Sequence, residues 1–428
     1  MRSGTKTFSA RPLATVRAAA LPWRAEGLLV LVEHARGMLR WETRKLGPEG
    51  TQRSLVLGET PLLVAQADEY WCPTCEKLLG LGLGRDNVEQ GVLDALRQVS
   101  NLVHAPLASA LETMSPLLEL LEDGVYLVSR VPHHPTNGEG LPFWALSRRP
   151  QRLTASRDSY YFGMGLFALA PSYPAFLLPT EALARCDWSR VEEYRRQLRS
   201  GQDLGALAFW AEGFLSALLD GHHRATACLL EGAPITCLTV MRQGAVDLQD
   251  GDRALIVWDE RIPFATLPQE AVRLLEAQAR PWTMSEGAPA GIGDEEPAEP
   301  WTADPRWHEL SHAARRFPAT HAVAALEIVG ETSDERIERL FAAPGDDAPE
   351  LWLILQALIA AQDPRAVRLA LRAGRSRWPD LWDDAFRFLA TVRAQEVEDF
   401  FIDFLVHDEG QHPWLERIAN DYLAQSAP

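Results

Sequence analysis

Short apolar runs bounded by turn residues fill the first two-thirds of the chain, and apolar spacings of three and four residues take over in the last third. Gly27-Leu28-Leu29-Val30-Leu31-Val32 and Pro61-Leu62-Leu63-Val64-Ala65 have the length and branched content of buried strands, as do residues 124–128. Residues 88–121 carry helical spacing and predict two helices. Pro132-His133-His134-Pro135-Thr136-Asn137-Gly138 is rich in turn formers and predicts a loop. Residues 1–150 therefore read as an amino-terminal α+β domain.

The pattern is most ordered between residues 174 and 241. Phe176-Leu177-Leu178-Pro179 predicts a short strand, and Thr180-Glu181-Ala182-Leu183 the start of a helical turn. Ser189-x-x-Glu192 has the form of a capping box, followed by a helical face of Val191, Tyr194 and Leu198. Residues 207–210 and 214–219 are apolar runs joined by Ala211-Glu212-Gly213, which predicts a hairpin. Asp220-Gly221-His222-His223-Arg224 then leads into a helix over 225–231 stopped by Gly232, and residues 234–240 predict the next strand.

Residues 283–300, TMSEGAPAGIGDEEPAEP, have no apolar periodicity and predict an extended linker, assigned here to 283–305. Beyond it every recognisable segment is helical, and the chain repeats itself. Glu350-Leu351-Trp352 returns as Asp380-Leu381-Trp382, Ala360 as Ala390 and Val367 as Val397, all at an offset of 30 residues. Each unit reads as two amphipathic helices broken near Asp363-Pro364 or Arg393-Ala394. Stacked helix pairs bury a continuous core between neighbours, the logic of an α-solenoid, against which a small ordinary bundle is the plainer alternative. Trp352 and Trp382 read as core residues of these repeats. Over residues 306–428 the pattern resembles HEAT repeats, in spacing rather than in signature residues.

Composition narrows the function classes. Hydrophobic residues make up 46% and charged residues 24% of 428, the balance of a soluble globular protein of two or three domains. No apolar run approaches bilayer length, and Arg17 interrupts the only apolar stretch of the first 23 residues, so neither a membrane segment nor a secretory signal is expected and the location reads as cytoplasmic. Net charge is −17, and residues 283–428 hold 27 Asp+Glu against 13 Arg. Such an excess repels phosphate backbones and argues against general nucleic-acid binding, or does no more than keep the protein soluble.

Asp220-Gly221-His222-His223-Arg224 carries the chemistry. A helix start offers unpaired N–H groups and a positive dipole end. Gly221 lets the backbone approach a phosphate, and Arg224 can fork onto phosphate oxygens, with Thr226 two residues on. Asp220 suits a magnesium ion or a proton, and His222 or His223 a phosphate contact or a proton shuttle. Two histidines at a helix start can also simply cap it.

The order of strand, helix, hairpin, DGHHR, helix and strand resembles the ParB/sulfiredoxin superfamily, and the DGHHR spelling is closest to its free-serine kinase-type branch. The resemblance implies an α/β middle domain over residues 151–282 that handles ATP or another nucleotide with magnesium, with phosphates at Gly221, His223, Arg224 and Thr226. It implies Asp220, His222 and His223 as catalytic candidates, with Glu181 or Asp187 as base. Where sulfiredoxins have cysteine this chain has His222, and acidic sequence follows where ParB proteins carry a DNA-reading helix-turn-helix, so thiol repair and DNA reading are not expected. The overall expectation is a multidomain α+β protein: a ParB/sulfiredoxin-like domain followed by all-α HEAT-like repeats that offer a surface to a protein partner. An ATP-dependent phosphotransferase or nucleotide hydrolase is one reading; a non-catalytic regulatory or scaffold protein with a degenerate nucleotide sensor is the other.

Cys72-Pro73-Thr74-Cys75 admits three readings: two zinc ligands lacking an obvious second pair, a redox pair after the strand at 62–65, or two ordinary reduced cysteines. Gly80, Gly82 and Gly84 weaken the redox reading, because they would damage the helix that such a site needs. Elemental analysis of chelator-free protein decides the first: ligation by Cys72 and Cys75 gives about one zinc per chain. Zinc-free protein leaves the other two.

Overall fold

A computed structural model of the chain describes residues 7–17, 25–45, 50–68, 78–156, 174–244, 246–247, 253–258, 260–278, 299–343, 347–408 and 410–426. Cys72, Cys75 and most of the expected linker lie outside these residues. The architecture is mixed α+β, in two compact units, Met1–Phe317 and Pro318–Pro428. Among the described residues no helix is long and apolar enough to cross a membrane.

The first unit is built on a seven-stranded sheet in the order Ser9–Arg17, Glu26–Glu33, Gly124–His133, Ile235–Arg242, Gly205–Glu212, Leu215–Asp220, Phe176–Leu178. Pairing is antiparallel except where Gly205–Glu212 meets Ile235–Arg242 and where Leu215–Asp220 meets Phe176–Leu178. The inner strands are nearly continuous apolar runs because both faces are covered. One apolar cluster joins Leu29, Val125 and Met241 to Ala271 and Leu275 of the helix Gln269–Gln278. A second joins Ala206, Ala208 and Cys237 to Val191, Leu229 and Leu310 on the helices Trp188–Arg199, His222–Glu231 and Trp307–Ala314. Ala206 and Ala208 are small enough to let those helices sit close to the sheet.

The sheet runs through the boundary expected at residue 150, since Gly124–His133 lies between Glu26–Glu33 and Ile235–Arg242. The helix Trp307–Ala314, expected to open the repeats, packs its Leu310, Ala313 and Ala314 in the first unit's core. Residues 88–121 form three short helices, Gln90–Ser100, Leu107–Ala110 and Ser115–Leu118, instead of two, with Pro106 and Pro116 at the starts of the second and third. Pro132 and His133 continue a strand, so the turn-rich loop begins two residues later than expected.

A five-stranded antiparallel sheet, ordered Leu39–Lys45, Gly50–Leu57, Thr60–Asp68, Leu78–Leu81, Gln151–Arg152, feeds the site. After Leu78–Leu81 the backbone folds tightly onto Pro61: a Cβ at Gly82 would lie 2.1 Å from the Pro61 carbonyl oxygen, so no other residue fits there unmoved. Leu83 N donates to the same oxygen at 2.8 Å, and the next turn delivers Arg85.

The second unit is a run of helices: Thr320–Ile328 and Asp334–Ala342, Ala348–Ala360 and Arg365–Ala373, Trp382–Leu389 and Gln395–His407, then Pro413–Ser426. The breaks fall at Asp363-Pro364 and Arg393-Ala394, where the repeat placed them. Leu351 and Leu381, equivalent in the repeat, are both buried in one core with Phe386, Phe400 and Phe401. Trp352 and Trp382 pack partly buried against it, and their indole N–H groups donate to Asp384 Oδ2 at 2.7 Å and to Ser376 O at 3.0 Å.

Residues 318–428 expressed alone are expected to fold as a soluble helical monomer. A fragment starting at residue 301 carries Trp301, Leu310 and Phe317, only 6%, 0% and 7% exposed in the first unit, and loses about 1.5–3 kcal/mol of burial at each. It should therefore aggregate more, as read by size-exclusion chromatography and circular dichroism. Equal behaviour of the two fragments would contradict this division.

Candidate functional site

The hairpin Gly205–Glu212/Leu215–Asp220 ends at Gly221, whose φ of 107° is left-handed and whose hypothetical Cβ would stand 2.8 Å from Ala206 Cβ. Strain and crowding both require glycine there. The chain then turns into the helix His222–Glu231, capped at the far end by Gly232 at φ 71°. This is the strand, turn and helix expected from DGHHR, with the helix starting three residues earlier.

Four charged side chains converge on that turn. Arg224 Nη2 lies 2.5 Å from Asp220 Oδ2 and also donates to Ser100 Oγ at 2.7 Å. Arg85 Nη1 lies 4.0 Å from Asp220 Oδ1 and 3.1 Å from Glu181 Oε1. The result is a chain of alternating sign, Arg224, Asp220, Arg85, Glu181, in which side-chain exposure is 15%, 13%, 7% and 25%. Two charges of each sign balance.

The histidines are occupied from within. His222 Nε2 accepts from Thr180 N at 3.1 Å, so its proton sits on Nδ1 and the ring is neutral. Burial, then the charge of Arg85, holds its pKa well below the ordinary value. Thr180 Oγ1 donates to Leu218 O at 2.7 Å, which ties the loop after Phe176–Leu178 to the hairpin. His223 Nε2 accepts from Asp187 N at 3.0 Å, and burial, with Arg190 nearby, lowers its pKa too. Thr226 is fully buried: its hydroxyl donates to His222 O at 2.8 Å and accepts from Trp144 Nε1 at 3.0 Å.

Of the expected site residues, Asp220, Gly221, Arg224 and Glu181 are brought together, His222 and His223 flank them with their Nε2 atoms engaged, and Thr226 lies in the core. Asp187 is no base candidate by position; it caps the helix Trp188–Arg199, accepting from Ser189 N at 2.9 Å and Ser189 Oγ at 2.6 Å. That corrects the capping box, in which Ser189 was the expected cap. Arg85 and Ser100 were not anticipated, since they lie 135 and 124 residues from their partners Asp220 and Arg224. The glycines before Arg85 were the available signal, as marks of close backbone approach.

Magnesium does not fit at Asp220 in this arrangement. A hard cation needs converging oxygen donors, and here the carboxylate is shared by two guanidinium groups at 2.5 and 4.0 Å. Among the described residues no group of three or more His, Cys, Asp or Glu is placed to hold a metal ion. Cys228 is buried in the helix, where burial pushes its thiol up to about 12 and leaves no thiolate. An anion suits the cluster better: two guanidinium groups beside a helix start provide forked donors for phosphate oxygens.

Compared with protein-family models, curated proteins and solved structures, the chain matches none.

The buried histidines make stability depend on pH. Burial lowers His133 to about 4 and His134 to about 3, and His222 lies well below 6.5. Unfolded histidine titrates near 6.5. Between there and the folded values the unfolded chain binds protons that the folded one refuses, so stability falls as pH falls, by about 1.4 kcal/mol per pH unit for each. Melting temperature is therefore expected to drop steeply from pH 7 to pH 5. His222→Gln, which keeps an acceptor for Thr180 N, should flatten the slope by about one proton. A midpoint indifferent to pH in this window would contradict neutral buried rings.

Proposed function

We propose that the chain is a nucleotide-binding protein whose middle segment is ParB/sulfiredoxin-like and acts as a non-catalytic sensor, with HEAT-like repeats beyond it as a surface for a protein partner. The observation that carries this reading is the convergence of Arg85 and Arg224 on the turn at Asp220-Gly221. A nucleotide phosphate competes with the Asp220 carboxylate for the same two guanidinium groups. Binding and opening of the ion chain are then one event, which is what a sensor needs.

The engagement of the remaining groups favours sensing over phosphotransfer. The Nε2 of His222, which would shuttle a proton, accepts from a backbone amide, and Glu181, which would serve as base, is paired with Arg85. The His222 Nε2 lone pair is thereby engaged, and the charge of Glu181 is held by the Arg85 guanidinium. Only the phosphate end of the nucleotide is specified by these residues.

Calorimetric titration of ATP, ADP and CTP into the full chain, with and without magnesium, tests the reading. Binding is expected without a magnesium requirement and without turnover. Arg224→Ala should weaken it by about 1.5–3 kcal/mol while leaving the circular dichroism spectrum unchanged. Unchanged affinity in that variant removes Arg224 from the site, and the absence of heat with every nucleotide overturns the nucleotide reading. Release of phosphate from ATP would restore the phosphotransferase or hydrolase reading.

A further inference from the structure

Residues 318–428 hold 20 Asp+Glu and 10 Arg, yet half of those arginines fall within residues 365–377, which contain no acid. Arg368 and Arg372 are one turn apart on the helix Arg365–Ala373, and Arg375 and Arg377 follow just beyond its end. They line a cleft of about 620 Å³ whose apolar walls are Phe341, Leu371 and Trp378. A basic cleft inside an acidic unit is not what averaged charge would suggest.

Three of these arginines sit over aromatic rings. The Arg372 guanidinium lies 3.7 Å over the Phe341 ring, that of Arg377 4.5 Å over Trp378, and that of Arg375 4.8 Å over Phe400. A guanidinium stacked this way keeps its N–H donors in plane and directed sideways, preorganised for carboxylate or phosphate oxygens. Two of the acid partners are loose, Arg368 lying 3.5 Å from Asp334 and Arg375 3.8 Å from Asp403 with every one of these side chains more than half exposed, whereas Arg372 is paired with Glu338 at 2.5 Å. Exposed pairs of this kind hold weakly and exchange readily with another anion.

We propose that this cleft binds an acidic peptide segment of a partner protein, with carboxylates on Arg368 and Arg375 and the peptide chain along Phe341, Leu371 and Trp378. Charge complementarity selects the occupant. A nucleic acid would carry its phosphates past the 13-residue basic run into a unit with twice as many acids as arginines. A nucleotide base has no slot either, because Phe341 and Trp378 contact each other at 5.7 Å between centroids with a 54° tilt. A short acidic segment meets neither obstacle. This site is separate from the one at Asp220 and independent of the nucleotide reading, and it rests on the proposal that the repeats serve a protein partner.

Fluorescence anisotropy of the full chain with a short fluorescein-labelled peptide of alternating Glu and Ala is the test. Binding is expected at low ionic strength and should fade as salt screens the charges. Arg368→Gln with Arg375→Gln should weaken it about tenfold, and Arg368→Lys with Arg375→Lys should recover part of the loss. Arg387→Gln, on the helix Trp382–Leu389 and outside the cleft, should change nothing. Circular dichroism confirms that each variant is folded. No binding of the peptide, or equal binding by the double glutamine variant, overturns the proposal. So does displacement of the peptide by ATP or inorganic phosphate as efficiently as by unlabelled peptide, which would make the cleft a small-anion site.

Discussion

A guanidinium that is 93% removed from solvent cannot be left without counter-charge, and Arg85, with 7% of its side chain exposed, imposes that condition on the first unit. Its partners come from far along the chain: Glu181 at 3.1 Å from the loop after the edge strand, Asp220 at 4.0 Å from the hairpin end. Its Nε has no hydrogen-bond partner among the described residues, and both carboxylates approach its Nη1. Buried ion pairs are poor sources of stability, because desolvation offsets the attraction. They are good at excluding alternatives, since any arrangement that separates Arg85 from both acids strands a charge. The Gly82 turn, the loop at Thr180 and the start of the helix at Gly221 are fixed relative to one another by that demand.

Much of this was legible in the sequence, where the signal was local. The strands at residues 27–32, 61–65 and 176–178, the hairpin, the helix after DGHHR and its Gly232 cap all follow from apolar runs and turn residues. So does the alternation of helices beyond residue 347, because each helix pair repeats a pattern of buried positions such as Leu351 and Leu381. What could not be read depends on distant partners. Gly124–His133 looks like the last strand of an amino-terminal domain until Ile235–Arg242 is known to lie beside it. Trp307–Ala314 is helical like the repeats, and only the identity of what covers Leu310 assigns it to the other unit. Asp187 and Ser189 are both good caps by residue type, and the fold chooses the one whose carboxylate reaches two amides.

Charge tells a similar story at two scales. A net −17 describes the field far from the molecule, where it opposes polyanions. Within a Debye length of about 8–10 Å the sign is set by whichever side chains are nearest, and five arginines in thirteen residues are enough to reverse it. The same residue type thus serves two ends here. Arg85 is buried and stoichiometrically matched by acids, whereas Arg368 and Arg375 are exposed beside acids that hold them loosely.

The central sheet has a consequence for how the chain comes off the ribosome. Gly124–His133 can pair with Glu26–Glu33 as soon as both have emerged, but its other edge is completed by Ile235–Arg242, more than a hundred residues later. At about 5–20 residues per second that edge stays open for roughly 5–20 s, with a row of unpaired N–H and C=O groups on an apolar strand. Helices that contact partners one or two places away in the sequence, as those beyond residue 347 do, have a much shorter interval. During synthesis the nascent protein is therefore vulnerable at one strand edge and for one defined interval, set by topology and not by the stability of the finished fold.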